Sequence, residues 1–308
     1  MRPQFIVGIV LGGTNLKIAL ADLRYHIKDT RLLTTGKFLT KESLIQAIIS
    51  ATESILKKNR IEKNRVLGVG LGLPGPIDSK RGLVHFFPNI PGWKEVKLKK
   101  ILEQRLKLPV FIDNDANLMA LAEQRLGAAK GVKNAVCITL GTGVGGGLIL
   151  EGELYRGSNF AAGEIGHMPV NEKGPKCNCG GTACLEAYIG NNRILELAGK
   201  LFGKNISLEE LSLLAAKRNR RAQELWYNVA NYLGIVLSGV VNLIDPDVIV
   251  IGGGVANAGK ILFDNVKGAI TKRAMAVQAK HVKVRKAALG NRAGMIGAVI
   301  LVKESLEK

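Results

Sequence analysis

Between residues 163 and 186 the chain reads GEIGHMPVNEKGPKCNCGGTACLE. His167, Cys177, Cys179 and Cys184 place one imidazole and three thiolates within eighteen residues, a donor set that suits tetrahedral Zn2+ with no open coordination position. A disulfide or inert thiols are the alternatives, and the C-x-C spacing with a Gly180-Gly181 turn favours metal. Cys137 lies in a strand-like apolar run and reads as a small core residue. Glu164 and Glu186 flank the cluster, so a metal that ties the loop down fixes both carboxylates. It also fixes the His167 ring, whose second nitrogen stays available to a ligand.

A second group of residues suits phosphate and a hydroxyl nucleophile. In GIVLGGTNLKIAL (8–20), Gly12, Gly13 and Thr14 form a tight turn whose N–H groups can converge on an anion, with Asn15 and Lys17 on the strand that leaves it. ITLGTGVGGGLIL (138–150) repeats the device with Gly141, Thr142 and Gly143. Val10 stands where Mg2+ would favour a carboxylate. FIDNDAN (111–117) ends a short strand in Asp113, Asn114 and Asp115, which exceeds what helix capping needs and offers a carboxylate to take a hydroxyl proton. GLGLPGPID (70–78) with Gly75, and FFPNIPGW (86–93) with Asn89, read as rigid loops able to meet sugar hydroxyls. Gly252 and Gly253, in the triplet that ends DVIVIGGG, would let a flat adenosine lie against backbone.

These residues need a scaffold, and the apolar pattern supplies an α/β one. Strand-like runs fall at 5–10, 16–22, 66–72, 109–112, 135–140 and 247–251, and a helix with Leu44, Ile48, Ala51 and Ile55 on one face lies among them. Helical segments follow near 182–202, 207–244 and 292–305. Both halves open with a Gly-Thr turn between apolar strands, which points to a duplication. At 308 residues and 47% apolar content, two domains with separate cores fit. The division reads as 1–116, with a helix of about 292–308 packing back on it, and a larger 117–291 that carries the zinc motif. No apolar run reaches a membrane span and no signal-peptide cleavage site precedes the first strand, so a cytoplasmic location is expected. The net charge of +19 is scattered rather than clustered with aromatics, so no nucleic-acid or membrane partner is expected.

Taken in this order, the motifs resemble the ROK family, closest to its bacterial glucokinase branch. The resemblance rests on Gly12–Thr14, Pro74-Gly75, Asn89–Trp93, Asn114–Asn117, Gly141–Gly143 and Gly163–Glu186. It implies an actin-like, hexokinase-like fold of two α/β domains that close over a cleft. It implies ATP with Mg2+ as phosphoryl donor, a structural Zn2+, and Asp115 as general base on the 6-hydroxyl of a hexose, glucose leading. Gly75, Asn89, Asn114, Glu164, His167 and Glu186 would hold the sugar, and the chain would form a homodimer or homotetramer. The alternatives are another hexose or N-acetylated amino sugar as acceptor, polyphosphate as donor, or a sugar-binding protein with little catalysis. Repressors of the family carry a helix-turn-helix ahead of the first turn, and a first strand near residue 5 leaves no room for one. Two positions depart from the pattern. Ala183 replaces the glycine usual before the last zinc cysteine, and Val10 replaces an acid thought to position Mg2+.

Overall fold

The first two apolar runs pair antiparallel as β1 (Phe5–Leu11) and β2 (Asn15–Asp22), which sets Val10 opposite Lys17. β3 (Ile27–Thr34) continues the meander, while β4 (Val66–Leu73) joins β1 in parallel. In this computed structural model, which describes residues 4–307 apart from 14, 35–37, 39 and 88–91, a small antiparallel sheet follows: β5 (Ile77–Asp78), β6 (Leu83–Phe86) and β7 (Lys94–Val96). β8 (Val110–Asn114) then completes the main sheet in the order β3-β2-β1-β4-β8. Helices α1 (Lys41–Lys58) and α2 (Leu98–Leu106) bury their apolar faces in the same core, and α3 (Asp115–Leu126) leaves directly from β8.

The second half repeats this topology strand for strand. β9 (Ala135–Leu140), β10 (Val144–Leu150) and β11 (Glu153–Tyr155) form an antiparallel meander. β12 (Val248–Gly252) and β13 (Lys283–Lys286) add in parallel, giving β11-β10-β9-β12-β13. The shared order establishes the duplicated actin-like, hexokinase-like α/β fold.

Between these strands run α4 (Glu186–Ile189), α5 (Asn191–Phe202), α6 (Leu208–Ala216) and α7 (Arg220–Ile244), then α8 (Lys260–Arg273) and α9 (Ala276–His281). The segments expected as two long helices are therefore four, because Gly190 is extended and Asn219 starts a new cap for α7. By length and composition α7 could cross a membrane. Twelve of its residues, Trp226 included, are instead buried in the protein.

Unit 1 comprises Met1–Ala122, Arg156–Ala162 and Asn291–Lys308; unit 2 comprises Glu123–Tyr155 and Gly163–Gly290. The last piece of unit 1 is α10 (Ala293–Leu306), which is apolar on nearly every side. It packs on Ile6 and Ala21 of the sheet through Val299 and Val302, and between them it meets strand glycines. A Cβ on Gly8 would lie 2.5 Å from the Met295 carbonyl oxygen, and one on Gly70 would overlap that of Ala298. Glycine at alternate positions of β4 thus serves helix packing.

Candidate active site

In unit 1 the first turn is closed by the Gly12 N–H donating to the Asn15 carbonyl at 2.9 Å. Among the described residues a Cβ on Gly12 would meet only that carbonyl, at 3.5 Å, an ordinary contact, so packing against them does not require glycine there. Asn15 and Lys17 are half-buried on β2. Thr14 and Asn89, both expected at the site, lie outside the described residues. Val10 is half-buried and fills a space bounded by two glycines. A Cβ on Gly294 would lie 3.0 Å from its Cγ2, and one on Gly72 would lie 3.5 Å away.

β8 delivers its three polar residues to different tasks. Asn114 caps α3, its Oδ1 accepting from Ala116 N–H at 2.8 Å and Asn117 N–H at 3.3 Å. Its amide also donates to the Gly75 carbonyl at 3.0 Å, joining two of the expected site loops. Gly75 has φ +83°, a left-handed turn conformation suited to glycine. Asp115 occupies the first helical position and is half-buried, where the helix N-terminus favours negative charge.

Asp113, 1% exposed, is the anchor. Its Oδ2 accepts from Arg156 Nε and Nη2, both at 2.7 Å, and its Oδ1 accepts from Asn117 Nδ2 at 2.9 Å and Asn114 N–H at 2.8 Å. Sequence reasoning missed Arg156, since nothing local marks it; the one signal was an acid in a strand that required a cation. Arg156→Met is expected to destabilise the fold by about 3–5 kcal/mol, because it strands a buried charge. The Arg156→Met/Asp113→Asn double variant should recover part of that loss. Thermal melts of both variants decide it, and a double variant no more stable than the single would refute the pairing.

In unit 2 the second turn is closed by Gly141 N–H donating to Gly143 O at 2.9 Å and is held by Asn191 N–H donating to Gly141 O at 2.9 Å. Among the described residues nothing lies within 4 Å of a Cβ placed on Gly141, and Thr142 is exposed at the tip. Gly253 has a packing reason of its own: φ is +87°, and a Cβ there would overlap the Leu140 carbonyl. Gly252, which ends β12, is buried.

The loop before α4 gathers His167, Cys177, Cys179 and Cys184, whose ligand atoms all lie within 4.8 Å of one another. His167 Nδ1 is 3.7 Å from Cys177 Sγ, and the Cys179 and Cys184 sulfurs are also 3.7 Å apart. Tetrahedral Zn2+ with its usual bond lengths sets such edges at about 3.5–3.8 Å. Gly181 N–H points at Cys179 Sγ from 3.4 Å, as a thiolate ligand needs. The other ring nitrogen of His167 is 3.8 Å from Glu164 Oε2. Partial withdrawal from water raises the Glu164 carboxyl above its ordinary range; His167 offsets this and the charge of Glu186 adds to it. Glu186 itself, at the start of α4, accepts Val144 N–H on Oε2 at 2.9 Å.

Ala183 is fully buried with φ +58°. Left-handed backbone costs alanine roughly 1–2 kcal/mol. Glycine would relieve that but lose a buried methyl worth about 0.8 kcal/mol and add chain entropy of similar size. Ala183→Gly should therefore shift stability by less than about 1 kcal/mol, whereas β-branched Ala183→Val should cost several times more and lower the metal content. A melt and a metal assay on both variants check this.

The ROK family model matches residues 6–305. The glucokinase of Halalkalibacterium halodurans is 36% identical over 100% of this chain and 98% of its own length. A ROK family glucokinase from Streptomyces griseus, solved with glucose and AMPPNP, superposes with a TM-score of 0.85 at 31% identity, covering 97% of this chain and 99% of that one. A ROK family transcriptional regulator, a homologue of the E. coli Mlc protein, superposes at 0.89 with 26% identity, over 98% of this chain and 78% of that one. By the match along nearly its whole length, the chain belongs to the ROK family.

Proposed function

We propose that the chain is a sugar kinase that moves the γ-phosphoryl group of ATP to the 6-hydroxyl of a hexose, glucose leading. The observation that carries this reading is the pair of glycine turns at the same place in two copies of one topology, where among the described residues no tight contact accounts for Gly12 or Gly141. Unit 1 supplies Asp115, which takes the proton as the sugar oxygen attacks. It also supplies Asn114 and Gly75, joined by their hydrogen bond. Glu164, His167 and Glu186 are the carboxylates and imidazole assigned to the remaining hydroxyls. Zinc, bound by the four-residue cluster, would hold that loop in shape.

The test is ADP release that requires both glucose and Mg2+, with kcat/KM compared across glucose, fructose, mannose, N-acetylglucosamine and N-acetylmannosamine, and ATP against polyphosphate as donor. No turnover with any of these sugars sinks the reading. Val10 favours a second one, a sugar-binding protein with slow catalysis. Val10→Asp puts a carboxylate beside the first turn, where it is expected to lower the Mg2+ needed for half-maximal rate by about tenfold, the usual scale for an outer-sphere ligand. An unchanged Mg2+ titration would mean that other groups already position the ion.

A further inference from the structure

We propose that Glu186 is a positioning residue for the second phosphate turn, so that one carboxylate shapes the nucleotide subsite with one oxygen and meets the sugar with the other. The proposal rests on the sugar-kinase reading above. The turn Gly141–Gly143 is pinned at both ends by the first residues of α4 and α5: Val144 N–H donates to Glu186 Oε2 at 2.9 Å, and Asn191 N–H donates to Gly141 O at 2.9 Å. The packing is close at both places. A Cβ on Gly143 would lie 2.5 Å from Glu186 Oε2 and would push the carboxylate off the Val144 N–H, and one on Gly190 would lie 3.0 Å from the Thr142 carbonyl. Gly143 thus leaves room for the carboxylate where it now sits.

A carboxylate is a costly choice for this task. Its charge opposes that of a bound phosphate, and a neutral amide oxygen would accept the Val144 N–H equally well. The charge is explained if Oε1, which takes no hydrogen bond among the described residues, accepts a sugar hydroxyl. Glu186 already lies near enough to Glu164 for their charges to interact. Sugar and nucleotide would then share one side chain, and each would affect how firmly the other is held.

The experiment titrates ADP into the sugar-free full chain as wild type, Glu186→Ala and Glu186→Gln, each first checked for metal content and melting temperature. Glu186→Ala should weaken ADP roughly tenfold, as expected when a charged acceptor leaves a backbone donor unpaired. Glu186→Gln should keep ADP within about twofold, because its amide oxygen still accepts Val144 N–H, while KM for glucose rises. Wild-type ADP affinity in Glu186→Ala overturns the positioning role and leaves the kinase reading standing. So does a Gln variant as weak as Ala. A wild-type chain that binds no ADP overturns the kinase reading and this proposal with it.

Discussion

Asp115→Asn is expected to lower kcat for sugar phosphorylation by about 10³-fold, the middle of the range for losing a general base, with KM for the sugar nearly unchanged. Asparagine matches aspartate in size but cannot take the proton. The cap of α3 is Asn114 and the buried anchor is Asp113, so both stay in place, and losing a negative charge at the helix N-terminus should cost the fold about 0.3–1 kcal/mol. A melting temperature lowered by no more than a few degrees with kcat collapsed supports the assignment; unchanged kcat transfers the role to another residue. Asn114→Ala is the contrasting control, since it removes a cap worth about 1 kcal/mol and frees the Gly75 carbonyl as well.

Metal removal should have the other large effect. Purified protein is expected to hold about one zinc per chain, and a chelator that strips it should abolish activity and lower the melting temperature sharply. Structural zinc contributes roughly 10 kcal/mol or more to small folded loops. Here the loop carries Glu164 and His167 and leads straight into Glu186, so its loss should reach both sugar affinity and the second turn. Cys179 is exposed and gives the chelator access. Activity that survives in protein shown to contain no metal would remove the structural role assigned to the cluster; recovery on adding Zn2+ would support it.

The metal cluster and both glycine turns were legible because each is local, with ligands or strands within about twenty residues of one another in sequence. α10 was legible by its unbroken apolar composition. β3 was not. Its half-buried positions include Asp29, which bonds Lys58 and Asn59, and Arg31, which bonds Ser54, so the inward face of this edge strand is charged and carries no apolar alternation. β13 was hidden likewise, as KVRK at the other sheet's edge. Asp113 and Arg156 lie 43 residues apart, and no periodicity links them. The second task of Glu186 was invisible for a different reason. Its type suits a sugar ligand so well that sequence gave no cause to look for a backbone donor.

The glycine-rich face on which α10 rests has a consequence for how the chain is made. β1 is made well before α10, with all of unit 2 synthesised between them, so the sheet of unit 1 waits for the second half of the chain before this helix covers it. Unit 2, whose residues end at Gly290, can finish earlier. Until α10 arrives, Ile6 and Ala21 and the close-packed strip at Gly8 and Gly70 stay open to solvent. The order of synthesis thus makes the half that carries Asp115 the later to mature and the one more exposed to aggregation.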